Sequence, residues 1–535
     1  MPREKSGFVP TSVKLSDVPG VPPPDPTVTS PSATSGKASA RTSRDSPTTR
    51  RFIAPPSSRS GLQSYTQHLP FSRTSTSRKQ AVAGVTVEAV IFRQFVDDDL
   101  GCASYLVGDE ETHEAVVVDP AYAIEPYLAA AKQEGVRIVR TLETHTHADH
   151  VSGHGRLALE HGISVGIHPA AEVAYEHDPL EDGREVVLGN VALRVVHTPG
   201  HRPEHCCFAV IDRTRAEEPW LVLTGDSLFV GDAARPDLAV EAVNGARELF
   251  ASLQRLLELP DGVEVFPGHV AGSLCGASMS SKASTTIGFE RRFNPMLASS
   301  GEHEFVSASA LTRSPRPPNL DRIVELNRGR FVAAPTPLEE RDELEPPILD
   351  IRPAEVFGAG HTAGAINVPL ERRGFATRAA FVLLPDESPL IYAATREQAE
   401  DAARRLHAVG IGELQGYVLG AAETETLEPV DVDELDRLVA ANAVEVIDVR
   451  ELHERDDGFI PGSRNIPYRL VREYGDELKE EGRPVVTICE SGARAAVAAS
   501  VLAASGVDAR PVLAGGMRAW EARGGATVGF RRCGS

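Results

Sequence analysis

Cysteine is scarce in this chain, and the few cysteines are scattered. None of the six forms a Cys-x-x-Cys pair or belongs to a dense framework; they are Cys102, Cys206, Cys207, Cys275, Cys489 and Cys533. This excludes a disulfide-stapled secreted domain and a Cys-rich zinc fold. Isolated thiols fit a reducing compartment, so we expect a cytoplasmic protein of bacterial type.

Long apolar runs are also missing, and positive charge is in short supply. No run approaches the roughly 20 apolar residues of a membrane span. The formal net charge is −21, which argues against a nucleic-acid binder because polyanions are held by clustered basic side chains. At about 150 residues per domain, 535 residues are too many for one core. The sequence therefore predicts several globular domains that bind neither nucleic acid nor membrane.

The first 82 residues are poor in acidic residues and lack periodic apolar positions. They carry 12 Lys and Arg against 4 Asp and Glu and are crowded with Ser, Thr and Pro. Such a composition does not bury enough surface to order a chain. A transit peptide would look similar, but the prolines of "PGVPPPDP" break any amphipathic helix. We therefore favour a disordered basic tail over residues 1–82, with a transit peptide as the alternative.

Regular patterning begins near Val85. Apolar strands alternate with helices such as "IEPYLAAAKQEG" and, in part, with other strands, which is typical of a layered α/β domain. We assign this domain to residues 83–320. A Pro- and Arg-rich link follows, with "LTRSPRPPNLDR" and "AAPTPLEERDELEPP".

Beyond the link the chain repeats itself. "PILDIRPAEVFGAGHTAGAINVPL" at 347–370 and "EVIDVRELHERDDGFIPGSRNIPY" at 445–468 share a strand, an Asp-x-Arg and a Gly-Ala/Ser-x-Asn-x-Pro loop. A repeat of about 100 residues predicts two homologous small α/β domains, at 335–427 and 428–535. The whole chain is therefore expected to be an α/β multidomain protein.

Seven candidate metal ligands follow apolar strands in the first domain. They are His145, His147, Asp149 and His150 in "LETHTHADHVSG", His201 in "HTPGH", Asp226 in "LTGDSL" and His269 in "FPGH". Four such side chains within six positions cannot all be buried without a metal or polar partners. The carboxyl ends of strands in α/β sheets gather at one place, so we expect these side chains to form a metal site.

Residues 85–310 resemble the metallo-β-lactamase fold superfamily, whose HxHxDH signature is matched from His145 to His150. The resemblance implies an αββα sandwich with a metal cleft at its edge. Hydrolases of the glyoxalase II type hold two ions, typically zinc, and activate water. Persulfide dioxygenases hold one Fe(II) in a triad of two histidines and one carboxylate. All seven positions are intact, so the ligands alone permit either metal state.

In the dioxygenases the triad falls on three motif positions that correspond here to His145, His201 and Asp226. The resemblance makes the remaining four either supporting residues or ligands of a second metal: His147, Asp149, His150 and His269. The loop "STTIGFERRFNP" looks like one in bacterial persulfide dioxygenases, which implies that Arg291 meets an anionic thiol substrate. In "GHVAGSLCGAS", Cys275 resembles a loop cysteine of the rhodanese-fused subgroup and is a candidate for holding sulfane sulfur.

The last repeat carries a second candidate site. "CESGARAA" follows the strand "PVVTI" and fits Cys-x-x-Gly-x-Arg. A Cys that opens a loop entering a helix faces backbone N–H groups and the positive helix end, which stabilise a thiolate. With "IPGSRNIP", residues 430–528 resemble the rhodanese sulfurtransferases, and the resemblance implies Cys489 as the nucleophile and Arg494 as a residue of its loop.

The earlier repeat lacks this chemistry. When Gly410 is aligned with Gly506, Ala393 falls opposite the nucleophilic cysteine and Gln398 falls opposite the loop arginine. This copy cannot form a persulfide, so we predict a degenerate rhodanese-like domain that serves as a spacer, interface or docking surface.

Together these features predict an iron-dependent persulfide dioxygenase, with one Fe(II) per chain, coupled to rhodanese-type sulfur transfer that gives or uses thiosulfate. Expected partners are a low-molecular-weight thiol persulfide, O₂, and sulfite or thiosulfate, and a homo-oligomer is expected. Two alternatives stay open: a dinuclear zinc thioester hydrolase of the glyoxalase II type fused to a sulfurtransferase, and a non-enzymatic sulfur relay with a structural metal site.

Overall fold

The computed structural model describes residues 90–237, 239–270, 282–299, 301–311, 316, 318–420 and 423–529. The predicted N-terminal tail, Cys275 and Cys533 lie outside the described residues. Within the described ranges, no helix is both long enough and apolar enough to cross a bilayer.

The first sheet has six strands that lie side by side in chain order. They are β1 Val90–Val96, β2 Ala103–Asp109, β3 Glu114–Val118, β4 Arg137–Leu142, β5 Ser164–Ile167 and β6 Asp178–Pro179. The first three strands are antiparallel, and β3 to β6 are parallel. Two helices accompany this sheet, α1 Glu125–Glu134 and α2 His154–His161.

The second sheet has the strand order β14-β13-β10-β9-β8-β7, and β11 and β12 form a separate hairpin. The strands are β7 Glu185–Leu188, β8 Val191–His197, β9 Cys206–Asp212, β10 Leu221–Gly225, β11 Leu228–Phe229, β12 Asp232–Ala233, β13 Glu264–Pro267 and β14 Thr285–Thr286. The helices of this part are α3 Ala242–Leu256, α4 Ile287–Phe293, α5 Glu302–Leu311 and α6 Leu320–Arg328.

The two sheets pack face to face and are covered by helices outside. Val116 of the first sheet and Phe208 of the second share the inner core, while Leu157 of α2 and Leu249 of α3 belong to separate outer cores. Strand β9 is buried along its whole length because it is covered on both faces, which is why it reads as a continuous apolar run. The expected αββα sandwich is confirmed.

Two four-stranded parallel sheets follow, with the orders β16-β15-β17-β18 and β20-β19-β21-β22. Their strands are β15 Ile348–Asp350, β16 Ile366–Asn367, β17 Leu390–Ala393, β18 Gly416–Leu419, β19 Glu445–Asp448, β20 Arg464–Asn465, β21 Val485–Ile488 and β22 Ala509–Pro511. Their helices are α7 Ala354–Ala359, α8 Phe375–Val382, α9 Arg396–Ala408, α10 Val432–Ala440, α11 Gly475–Glu481, α12 Ala493–Ala504 and α13 Gly516–Ala522. The identical strand order confirms two α/β repeats of one topology.

The sheet register relates the two repeats residue by residue. Asp350 pairs with Tyr392 in the first repeat, and Asp448 pairs with Ile488 in the second. Ala393 follows Tyr392, and Cys489 follows Ile488, so these two residues occupy equivalent positions. The alignment of Gly410 with Gly506 gave the same correspondence.

The two repeats also share one hydrophobic core. Helix α12 of the second repeat packs against β16 of the first, where the backbone N–H of Asn367 donates to the Ser500 hydroxyl at 2.9 Å. Both residues are almost fully buried. The hydroxyl thus satisfies an N–H of an edge strand that no further strand pairs.

Candidate functional site

Three side chains from both sheets of the sandwich meet at one edge. His145 follows β4, His201 follows β8 and Asp226 follows β10. One potential ligand atom from each lies within 4.8 Å of the others, and His201 Nε2 is 3.6 Å from Asp226 Oδ2. Each residue is about 1% exposed. Strand ends therefore bring together residues that are 81 positions apart in the chain.

Hydrogen bonds fix which nitrogen each imidazole presents. The Thr144 hydroxyl donates to Asp119 at 2.8 Å, so it accepts from His145 Nδ1 at 2.9 Å. His201 Nδ1 donates to the Arg235 carbonyl at 3.0 Å. In both rings the Nε2 lone pair is left for a metal, which is how supporting partners orient metal-binding histidines.

The charge state of the trio fits a divalent metal. Burial lowers the pKa of His145 and of His201, which keeps both rings neutral. Burial would raise the pKa of Asp226, but the charge of His269 outweighs it and the pKa is lowered. Asp226 Oδ2 is buried without a hydrogen-bond partner among the described residues. Two neutral imidazoles and an unsatisfied carboxylate oxygen form a donor set that a metal ion would complete.

His269 follows β13 and bridges two carboxylates. Its Nδ1 lies 2.7 Å from Asp226 Oδ1, and its Nε2 lies 2.8 Å from Asp149 Oδ2. Burial alone would lower the pKa of His269, but the two carboxylates outweigh it and raise the pKa to about 10. Both ring nitrogens are therefore engaged by hydrogen bonds.

His147 and His150 lie in the loop after β4 that also carries His145. His147 Nε2 is 3.3 Å from Asp119 Oδ1 and 3.2 Å from Glu143 Oε2; burial opposes protonation of His147, but these carboxylates raise its pKa. His150 Nδ1 is 3.3 Å from Asp149 Oδ1. Ligand atoms of His147, Asp149 and His150 also lie within 4.8 Å of one another, so the geometry permits a second ion at this group.

Three residues of the turn after His201 also support the site and were not predicted from the sequence. His205 Nε2 accepts from the Asp226 N–H at 3.0 Å, and burial lowers the pKa of His205 to about 3. The Arg202 guanidinium is 2.7 Å from Glu204, whose carboxylate accepts from Thr146 N at 3.2 Å. A usable signal was the position of these polar residues directly before the apolar strand "CCFAVID".

Of the two predicted substrate residues, the structure describes Arg291. The Arg291 guanidinium is bound by Asp261 and by the carbonyl groups of Leu257 and Leu259, while the neighbouring Glu290 is fully buried. The role of Arg291 in substrate binding stays a prediction, because the structure shows only that a local carboxylate pairs with it. Cys275 lies outside the described residues, and its role stays a prediction.

Cys489 lies directly after β21, in the loop before α12. The Gly492 N–H donates to its Sγ at 3.1 Å, and the Met517 N–H donates to its carbonyl at 2.8 Å. Gly492 has φ +105°, and a Cβ at this position would lie 1.9 Å from the Leu513 carbonyl oxygen. Glycine is therefore required for the loop to place this N–H against the sulfur.

Arg494 is the second residue of α12 and is held by a carboxylate. Its guanidinium makes two bonds to Glu454, at 2.6 and 2.7 Å. Burial opposes the charge, but Glu454 raises the pKa of Arg494. The structure thus brings Cys489 and Arg494 into one loop–helix unit, with the arginine oriented by a residue 40 positions earlier.

The equivalent loop of the first repeat keeps the scaffold without the thiol. Arg352 pairs with Asp350 at 2.6 Å, as Arg450 pairs with Asp448 at 2.8 Å in the second repeat. The Arg352 guanidinium lies 4.2 Å from the centre of the Tyr392 ring. With Ala393 in place of cysteine, this loop has no sulfur nucleophile.

Known families match both site-bearing parts of the chain. Residues 97–269 match the Metallo-beta-lactamase superfamily, and residues 431–523 match the Rhodanese-like domain. The chain is therefore a metallo-beta-lactamase-fold protein with a C-terminal rhodanese-like domain, as the sequence resemblance implied.

Comparison with individual relatives shows to which family of metallo-beta-lactamase-fold proteins the chain belongs. The chain is 30% identical over 263 residues to the mitochondrial persulfide dioxygenase ETHE1 of Homo sapiens, covering 48% of this chain and 96% of that protein. It is 31% identical over 250 residues to ETHE1 of Bos taurus, covering 46% and 91%. A solved metallo-beta-lactamase from Staphylococcus aureus subsp. aureus COL has a TM-score of 0.58 at 28% identity, covering 62% of this chain and 100% of that one. The chain belongs to the family of the ETHE1 persulfide dioxygenases.

Proposed function

We propose that this protein is an iron-dependent persulfide dioxygenase coupled to a rhodanese-type sulfurtransferase. The first reaction would be R–S–SH + O₂ + H₂O → R–SH + SO₃²⁻ + 2 H⁺, with the outer sulfur oxidised and O₂ reduced. The observation that carries the proposal is the buried trio of two neutral imidazoles and one carboxylate. Membership of the persulfide dioxygenase family supports the choice of substrate.

His145, His201 and Asp226 would hold the metal. When bound, Fe(II) in such a triad supplies open positions where an anionic sulfur and O₂ can meet. The chain's own residues prepare the site: the Thr144 hydroxyl and the Arg235 carbonyl orient the two rings. Burial of all three ligands keeps water away from the reacting atoms.

The group around Asp149 is partly engaged by hydrogen bonds and ion pairs. A second ion would need ligands from this group, yet His269 already joins Asp149 to Asp226 through both ring nitrogens. His147 lies between the carboxylates of Asp119 and Glu143. Buried ring nitrogens of His147 and His150 are also without a hydrogen-bond partner among the described residues, so family membership, and not these contacts, supports the dioxygenase over the dinuclear zinc hydrolase.

Cys489 would carry sulfur in the second reaction, Cys–S⁻ + S₂O₃²⁻ → Cys–S–S⁻ + SO₃²⁻. The thiolate forms a bond to the outer sulfur of thiosulfate, and sulfite leaves with the electron pair of the broken S–S bond. The outer sulfur then passes to a thiolate R–S⁻, which gives R–S–S⁻ and regenerates Cys489. The Gly492 N–H that contacts the sulfur would stabilise the negative charge. Joining both sites in one chain raises the local concentration of the shared persulfide.

Oxygen consumption and metal content test the proposal together. Protein loaded anaerobically with iron should bind about one Fe per chain and consume one O₂ for each sulfite formed from glutathione persulfide. His201→Ala should lose bound iron and O₂ uptake but keep thiosulfate:cyanide transfer. Cys489→Ser should keep O₂ uptake and lose the transfer, so each variant controls for the folding of the other. Two zinc ions per chain with thioester hydrolysis and no O₂ uptake would establish the hydrolase instead.

A further inference from the structure

The loop of residues 147–152 carries three of the seven candidate ligands and is held by a residue from the link that follows the sandwich. Asn327 lies on α6, and its side-chain oxygen accepts from Ser152 N at 2.9 Å. Its amide nitrogen donates to the carbonyls of His147 at 3.0 Å and His150 at 2.8 Å. Asn327 is 3% exposed. One buried amide thus fixes three backbone groups of the ligand loop.

The degenerate repeat holds the same loop through a helix end. The N–H of Val151 donates to the carbonyl of Ala408 at 2.7 Å. Ala408 is the last residue of α9, where helix carbonyls have no partner within the helix. The ligand loop supplies the missing donor, so α9 and the loop satisfy each other.

A second contact connects the degenerate repeat to the segment of His269. The Asp99 carboxylate accepts from the N–H groups of Phe375 and Ala376 at the start of α8, at 2.7 and 2.9 Å. Asp99 lies in a turn whose Gly101 carbonyl accepts from Val270 N at 2.8 Å. The degenerate repeat therefore contacts both segments that carry candidate ligands. Helix α9 contacts the loop of residues 147–152, and α8 contacts the turn that is bonded to the segment of His269.

We propose that α6 and the degenerate rhodanese repeat are structural parts of the metal centre, with Asn327 as a positioning residue for the loop of residues 147–152. The three hydrogen bonds of Asn327 hold the backbone of this loop in place, and the loop begins two residues after His145. Partners that orient metal ligands typically change metal affinity by about 10- to 100-fold when they are removed. The proposal gives the repeat without a thiol a role that needs no sulfur chemistry. It rests on metal binding at the trio and not on the identity of the substrate.

Metal release from the full-length chain tests this role. The protein is loaded with Co(II), whose visible absorption reports its ligands, and is mixed with excess EDTA. Asn327→Asp keeps the acceptor for Ser152 but sets a carboxylate against the two carbonyls. We expect this variant and Asn327→Ala to release Co(II) about 10- to 100-fold faster than the native protein, with a shifted absorption band.

Asn319→Ala is the matched control. Asn319 precedes α6, is buried, and donates to the Val409 carbonyl of the degenerate repeat, but it has no hydrogen bond to the ligand loop. Its substitution removes one hydrogen bond between α6 and the repeat without altering the contacts of the ligand loop, and should leave Co(II) release unchanged. Native release rates in Asn327→Asp, or equal acceleration in Asn319→Ala, would overturn the proposal. If Asn327→Ala fails to fold by circular dichroism, Asn327→Asp decides alone. Because O₂ uptake is not measured, failure of the dioxygenase proposal leaves this result unaffected.

Discussion

A single methyl group at Gly492 should separate the two activities. An added Cβ would lie 1.9 Å from the Leu513 oxygen, which is about 1.6 Å closer than an ordinary non-bonded contact of about 3.5 Å. The obstacle is backbone, so it cannot rotate away, and the loop itself must move by about 1 Å or more. A displacement of that size from reacting geometry can cost about 100-fold in rate. We therefore expect Gly492→Ala to lower thiosulfate:cyanide transfer by about 100-fold.

Gly482→Ala controls for the backbone cost alone. Gly482 follows α11 with φ +67°, and a Cβ there would meet nothing within 4 Å. Both substitutions carry the penalty of roughly 1–2 kcal/mol for a left-handed alanine, but the clash is confined to Gly492. Thiocyanate formation from thiosulfate and cyanide measures transfer, and O₂ uptake on glutathione persulfide shows that the first domain is intact.

Two results would refute this reasoning. Transfer by Gly492→Ala within a few-fold of the native rate would mean that the Gly492 N–H does not support the sulfur. An equal loss in Gly482→Ala would mean that general instability, and not loop geometry, sets the rate.

Three further predictions follow from the contacts described above. His201→Ala should leave no bound iron while His150→Ala keeps about one ion per chain; a fall from two ions to one in His150→Ala would indicate a dinuclear site. Burial opposes ionisation of Glu454, but Arg494 outweighs it and lowers the pKa of Glu454. The ionised carboxylate therefore stabilises the folded state above the ordinary glutamate pKa of about 4.3. That stabilisation is lost as the pH falls through the lowered pKa of the folded state. Glu454→Gln should flatten this loss in thermal unfolding across acid pH, and an unchanged profile would contradict the pairing. Asp99→Ala removes the acceptor for two N–H groups of α8 and should lower the free energy of unfolding in urea by about 1–2 kcal/mol; no change would mean that water replaces the carboxylate.

The sequence predicted the elements and site residues that leave a local pattern. Four polar ligands crowded after an apolar strand cannot be explained as core, and the strand ends before His201 and Asp226 point to the same edge. The repeat of Asp-x-Arg predicted two copies of one small domain. Ala393 could be assigned opposite Cys489 because equal spacing to a shared glycine survives loss of the thiol.

The residues that the sequence did not reveal act through backbone groups or distant partners. Asn327 forms hydrogen bonds with two backbone carbonyls and one backbone N–H. Every residue has such groups, so the pattern of side chains does not identify these partners. Its helix lies within a stretch that reads as a link rich in Pro and Arg. The motif of Arg291 predicts substrate binding, and nothing in the sequence indicates that this side chain pairs with Asp261, 30 residues away. Pairing between such distant charges depends on the fold and cannot be read from spacing.

The contact between α12 and β16 limits how far this chain can be dissected. A gene fragment beginning at residue 428 would encode the complete cysteine loop, yet eight consecutive residues of α12, 495–502, are buried, and a helix buried on all sides needs neighbours on all sides. Without β16 the fragment would expose an alanine-rich face and would be prone to aggregate. Ile366 and Asn367 of the first repeat are therefore constrained by their packing against α12. The first repeat has no sulfur nucleophile at Ala393, yet the second repeat depends on it as a packing partner.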